Sequence, residues 1–182
     1  MNIPPGLKTR IASVAIAFQR VPEFRVWLRC LALFAGYAAF VLAVGLSTGF
    51  LKPELMSGNW RAFVLVPVLI FFRPAAVEEL FFRAILIPHP REDVSRRRVW
   101  ITATLSLIVF IAMHPLNGYL VRHEAFAVFS SPLFLCFAGL LGIVCTLTYR
   151  ISGSLWPPIL IHWLTVVTWT VFLGGKRLLT GS

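Results

Sequence analysis

Residues 62–88 read AFVLVPVLIFFRPAAVEELFFRAILIP, an apolar frame broken by Arg73, Pro74, Glu78, Glu79 and Arg83. A helix needs about 20 apolar residues to cross a bilayer, so the stretch is long enough to span, yet four of its side chains are charged. Each central charge opposes insertion by about 2.5–3.5 kcal/mol, and four together by roughly 10 kcal/mol. A passive anchor gains nothing from such groups. The alternating signs let the segment neutralise itself, which explains how the charges survive but not why they are there. Ionisable groups inside a membrane point by default to a functional site, the competing reading being a Glu–Arg staple that locks helices together.

Outward from this stretch lie four more apolar runs, Val26–Phe50, Val99–Leu116, Ala125–Tyr149 and Leu155–Leu173. The whole chain of 182 residues is 58% hydrophobic and 13% charged, against roughly half and a quarter in soluble domains, and its mean hydropathy is +0.83. The expected fold is all-α, a polytopic membrane helix bundle of about five spans. Residues 1–25 form a basic segment with Ile11, Val14, Ala15 and Phe18 at helical spacing, which predicts an interfacial helix. A signal peptide fits less well, since its apolar core, Ile11 to Phe18, is at the short limit and Gln19-Arg20 followed by Pro22-Glu23 is a poor cleavage context. Residues 26–175 make the bundle, with a core at about 62–173, and 176–182 a tail. His114-Pro115 predicts a helix end or kink at His114, and Gly174-Gly175 the end of the last helix.

The net charge of +10 would suggest a nucleic-acid surface in a soluble chain. Here the basic residues fall between apolar runs. Lys8, Arg10, Arg20, Arg25, Arg29, Arg91, Arg96, Arg97, Arg98 and Arg150 gather on one side of a five-span topology, against Lys52, Arg61, Arg122, Lys176 and Arg177 on the other. This bias predicts a cytoplasmic N-terminus, contact with membrane lipid, and no nucleic-acid partner. Trp60, Trp100 and Trp156 mark span ends as interfacial anchors, whereas Trp163 and Trp169 are expected to pack within the last helix.

On a helix, Glu79 and Arg83 are neighbours in the favourable acid-first order, while Glu78 points about 100° away. Arg83 would hold Glu79 as an ion pair and leave Glu78 free as a general base. His114 and His162 bring two imidazoles into the apolar region, and both are expected to face the same polar cavity. His89 and His123 lie in loops and are expected to be solvated. Cys30, Cys136 and Cys145 stand singly as core thiols, without paired spacing. His114, His162 and a glutamate would suit zinc, but no His-Glu-x-x-His helix is present, so neither metal nor cofactor is expected. Buried Glu and His also fit a proton-coupled transporter.

Glu78-Glu79-x-x-x-Arg83, Phe110-x-x-x-His114 and His162, in that order, resemble the CPBP family of intramembrane proteases, which includes the type II CAAX prenyl endopeptidase. The resemblance implies an intramembrane glutamic-type endopeptidase. Glu78 would activate water with help from His114, and His162 would stabilise the oxyanion. Glu79, Arg83 and Phe110 would support them, and the substrate would be a protein or peptide, lipidated in some cases. The family's third motif places Asn or Asp four residues after its histidine, and this chain has Val166 there. Valine donates no hydrogen bond. The alternative is therefore a catalytically weakened membrane scaffold or immunity-type protein. From span lengths alone Glu78 and His162 fall at similar depth and His114 lies apart, so a kink at Pro74, a third helix starting at Arg96–Arg98, or both are expected.

Overall fold

The structure, a computed structural model, describes residues 5–180. Helix α1 (Pro5–Gln19) leads into α2 (Phe24–Ser47), and an irregular stretch then reaches α3 (Trp60–Ile70). Asn59 caps α3, its side-chain oxygen accepting from the Ala62 N–H. The charged segment that follows is not one regular helix. The chain kinks within Phe71–Ala76, and a wide turn at Leu80–Ile85 follows the single turn α4 (Val77–Glu79). Arg73 leaves helical geometry altogether, at φ −142° and ψ 111°. This is the break expected at Pro74, where the ring disfavours helical geometry in the preceding residue.

Helix α5 (Arg96–Leu120) starts at the arginine triplet, capped by Ser95, whose hydroxyl accepts from the Arg98 N–H. The expected helix end or kink at His114 is corrected: α5 runs through Pro115 to Leu120. Pro115 lacks the N–H that would bond the Ile111 carbonyl. The His114 ring compensates, with Nδ1 donating to the Phe110 carbonyl at 2.9 Å and reaching that of Ile111. The fourth apolar run is also split, into a short α6 (Phe126–Phe129) and a long α7 (Pro132–Ser152). Ser131 caps α7 by accepting from Phe134, with Pro132 in the first turn, where its missing N–H costs nothing.

Helix α8 (Trp156–Phe172) ends before Gly174, which adopts a left-handed φ of +75°. The chain then turns into α9 (Gly175–Thr180). Residues 176–180 therefore fold back, and Leu179 is buried with Ala125 and Phe129.

Three of the described helices, α2, α5 and α7, are long and apolar enough to cross a membrane, and α8 is a shorter apolar helix. No strand forms among the described residues beyond an isolated bridge between Glu54 and Leu173. Helix α7 is central, packing against α2, α5 and α8. One core cluster joins Ala17 of α1 to Ala84, Ile87, Ala103, Tyr149, Leu155 and Ile159, so α1 docks on the protein along one face. Trp156 Nε1 donates to Phe18 O at 2.9 Å and Ser154 Oγ to Arg20 O at 2.6 Å, fastening the end of α1 to the start of α8.

His89 is another correction. Expected in solvent, it is buried in this junction, with Nε2 donating to Gly153 O at 3.0 Å and Nδ1 accepting from the Arg91 N–H at 3.2 Å. The fold brings the α7–α8 turn onto its loop, and Gly153 sits there at φ +62°, a conformation that favours glycine. His123 is exposed, as expected. Cys30 and Cys145 are buried and Cys136 is exposed.

Candidate active site

The kink before α4 and the wide turn after it decide where the acidic pair points. Glu79 is fully buried, and one carboxylate oxygen lies 3.1 Å from Nε of Arg83, itself 1% exposed. The other oxygen is 2.8 Å from Nδ1 of His162 on α8, also buried. Glu78, one residue back, keeps a third of its side chain exposed and comes within 3.9 Å of Nε2 of the same imidazole. Arg83, Glu79, His162 and Glu78 thus form one continuous row of charged and polar groups inside an apolar bundle. The last gap is too long for a direct hydrogen bond.

Arg83 is tied down from several sides. Its Nη2 donates to the Gly142 carbonyl at 3.1 Å, and its guanidinium lies 4.8 Å from the centre of the Phe110 ring and 5.9 Å from that of Phe82. Gly142 allows this approach, since a Cβ there would stand 2.6 Å from Leu107 and 3.4 Å from Arg83. Phe110 is the common neighbour of the whole cluster. Its ring meets His114 edge-on at 5.0 Å and His162 at 6.1 Å, and it packs on Phe82 at 5.2 Å.

The sequence-derived set is therefore brought together in part. Glu78, Glu79, Arg83 and His162 share direct contacts, and Phe110 touches Arg83 and both imidazoles. His114 joins through Phe110 and through a cavity that it lines together with His162. That cavity, of about 150 Å³, lies between α2, α5, α7 and α8. Its walls are mostly apolar and aromatic, with Tyr37, Thr165 and Val166 beside the imidazoles. The carboxylates do not line it, so the imidazoles are the cluster's face toward it.

Two features escaped the sequence reading. The bond from Glu79 to His162 spans 83 residues, and no local spacing announces it. Tyr37 reaches the cavity from α2, outside all three motifs. Trp163 and Trp169 do pack inward: Trp163 Nε1 donates to Pro67 O at 2.8 Å and Trp169 stacks on Phe50. Among the described residues, no group of three or more His, Cys, Asp or Glu side chains is arranged to hold a metal ion.

Apolar helices long enough to cross a membrane, gathered around a buried Glu–Arg–His cluster, mark an integral membrane protein. The family model for type II CAAX prenyl endopeptidase Rce1-like proteins matches residues 59–168, more than half of the chain, and the chain belongs to that family. The matched region holds the acidic pair, Phe110, His114 and His162, and supports a protease activity in general. Neither a curated protein nor a solved structure matches the chain.

Proposed function

We propose that this protein is an intramembrane glutamic-type endopeptidase in which Glu78 activates the attacking water. The observation that carries the reading is the imidazole of His162 held between a buried, ion-paired Glu79 and a partly exposed Glu78. Both oxygens of Glu79 are engaged, by Arg83 and by His162, so its work is to hold other groups in place. Glu78 has no such pair of close partners and stays a third exposed, which supports its role as the group that meets the water.

In the attack, the water oxygen bonds to the carbonyl carbon, its proton passes to the Glu78 carboxylate, and the carbonyl π pair moves onto oxygen. In collapse, that pair re-forms the C=O bond, the C–N bond breaks, and the departing nitrogen takes the proton from Glu78 to leave as an amine. His114 directs Nδ1 to the Phe110 carbonyl, which leaves Nε2 as its free ring nitrogen to share the proton with Glu78. His162, oriented by Glu79, is the group that stabilises the developing oxyanion. Glu79, Arg83 and Phe110 keep the row in register. The substrate is a protein or peptide reached from the membrane, and the apolar cavity walls favour a lipidated one. The charge bias of the loops supports a cytoplasmic N-terminus and about five crossings.

A second reading rests on Val166, which lines the cavity without a donor where the family motif has Asn or Asp. In that reading the chain is a weakened member acting as a membrane scaffold or immunity-type protein.

The test is hydrolysis of internally quenched peptides, with and without a prenylated cysteine, by the purified protein in liposomes. Glu78→Gln should abolish cleavage while the protein still folds, and strong chelation should leave the parent's activity intact. Full activity in Glu78→Gln sinks the proposal. Cleavage appearing only in Val166→Asn favours the second reading.

A further inference from the structure

We propose that Ser106 is a positioning residue of the active site: its hydroxyl holds the backbone just ahead of Arg83 in the open form of the turn and, through Arg83 and Glu79, fixes the bearing of His162. The consequence for turnover rests on the hydrolytic reading above, and the consequence for His162 does not.

The wide turn at Leu80–Ile85 passes over one carbonyl. In a regular helix the Leu86 N–H would return to the Phe82 carbonyl, four residues back. Here it reaches one residue further, to Phe81 O at 3.2 Å, and the next amide, that of Ile87, goes to Arg83 O at 3.2 Å. The two N–H groups able to close an α- or π-type turn on the Phe82 carbonyl are both spent elsewhere. A buried carbonyl without a donor is costly in an apolar interior. Ser106 of α5 answers it from the neighbouring element, donating its hydroxyl proton to Phe82 O at 2.6 Å from a side chain only 3% exposed.

Three features set this bond apart from routine satisfaction of a hydroxyl. A serine inside a helix can donate to the carbonyl four residues back on its own helix, as Thr102 of α5 does with Arg98 O at 3.0 Å. Ser106 spends its proton on another element instead. The carbonyl it holds belongs to the planar peptide unit joining Phe82 to Arg83, so the bond fixes the plane from which the Arg83 side chain departs. Ser106 also stands four residues before Phe110 on the buried face of α5, and the Phe110 ring lies 4.8 Å from the Arg83 guanidinium. One face of α5 thus grips Arg83 at both ends, the backbone by a hydroxyl and the head group by a ring.

From Arg83 the constraint passes to Glu79 at 3.1 Å and on to Nδ1 of His162 at 2.8 Å. Without the hydroxyl, the Phe82 carbonyl competes for the Leu86 N–H. Closing that bond tightens the turn and swings the residues before it against those after it, because one residue is worth about 100° of helix rotation.

The test is Ser106→Ala, which removes only the hydroxyl, read in the full chain by two independent measurements. With the cleaved quenched peptide in liposomes, kcat should fall about 10- to 100-fold with KM changed less than threefold, as expected when reacting groups are displaced by up to an ångström. In micelles, the nitrogen-15 resonance of His162 Nδ1, identified by its loss in His162→Gln, should move from its position in the parent, and this readout needs no turnover. Ser106→Thr keeps a hydroxyl and should recover most of the lost rate and return the resonance toward that of the parent. Should Ser106→Ala fail to fold, Ser106→Cys, a weaker donor of similar size, takes its place under the same criteria. A kcat within threefold of the parent's overturns the proposal, as does a folded Ser106→Thr that recovers neither quantity. Loss of kcat in step with a lowered melting temperature, while the His162 resonance stays in place, also overturns it, since a serine that only stabilises the bundle behaves that way. Glu78→Gln judges the hydrolytic reading separately: if that variant keeps full activity the reading falls, and the His162 resonance alone then decides on Ser106.

Discussion

Replacing Arg83 by methionine isolates the energetics of the buried row. Arg83 is 1% exposed and Glu79 fully buried, with 3.1 Å between them, so water cannot screen either group. Methionine keeps much of the apolar stem but leaves Glu79 facing only His162. Removing one partner of a buried pair typically costs about 3–5 kcal/mol, because the other charge is stranded. The Arg83 donor to the Gly142 carbonyl and the contact with Phe110 are lost as well, which places this variant toward the upper end. Glu79→Gln strands Arg83 in the same way. The double variant strands neither charge, so its cost should fall short of the sum of the singles by about 2–3 kcal/mol. The assay is reversible unfolding in mixed micelles on titration with denaturing detergent, followed by tryptophan fluorescence. A cost below about 1 kcal/mol for Arg83→Met, the scale of an exposed ion pair, would refute the reasoning, as would strictly additive singles.

The two glutamates should respond differently to shortening. Glu79→Asp retracts a carboxylate engaged on both sides and should lower the melting temperature and activity together, whereas Glu78→Asp should lower kcat with little change in melting; equal melting losses would contradict this. Gly142→Val drives a side chain into Leu107, Phe110 and the Arg83 guanidinium and should cost about 1–3 kcal/mol, read by the same unfolding titration. His89 gives a pH dependence at the α1–α8 junction. Burial, aided by Arg91 and Arg20 and opposed by the Gly153 carbonyl and Glu92, holds its imidazole below the ordinary value of 6.5. The unfolded chain therefore takes up the proton first, so His89 leaves stability intact above about pH 6.5 and erodes it as pH falls toward the lowered native value. His89→Gln should flatten that part of the melting-temperature profile between about pH 7.5 and about pH 5.5.

Span positions were legible because apolar runs are local and long. Three of the five runs map onto single helices with ends shifted by a few residues, and the arginine triplet marks the start of α5. The splitting of the fourth run at Ser130-Ser131-Pro132 was signalled by a serine cap and a first-turn proline, a pattern that hydropathy alone overrides. His114 misled because Pro115 reads as a breaker in isolation, while its own side chain supplies the donor that lets the helix continue. His89 misled for the opposite reason: the partner that buries it lies 64 residues away. Helices that are apolar all round carry little information on which face docks against which neighbour. The Glu79–Arg83 pair, an i,i+4 contact, could be read directly, and the Glu79–His162 bond could not.

That bond explains why two adjacent and chemically identical side chains need not be interchangeable. A step of one residue turns them about 100° apart on a helix, and the kink before α4 and the wide turn after it set which direction each takes. Glu79 turns into α7 and α8, where burial would be prohibitive without Arg83 on one oxygen and His162 on the other. Glu78 turns to a partly open flank and meets only the far nitrogen of that imidazole. The imidazole ring therefore couples a fixed carboxylate to a free one. Nδ1 is fixed on Glu79, and Nε2 is the ring nitrogen turned toward Glu78. An acidic doublet, which in sequence looks redundant, is resolved by the fold into one carboxylate buried between Arg83 and His162 and another left partly exposed.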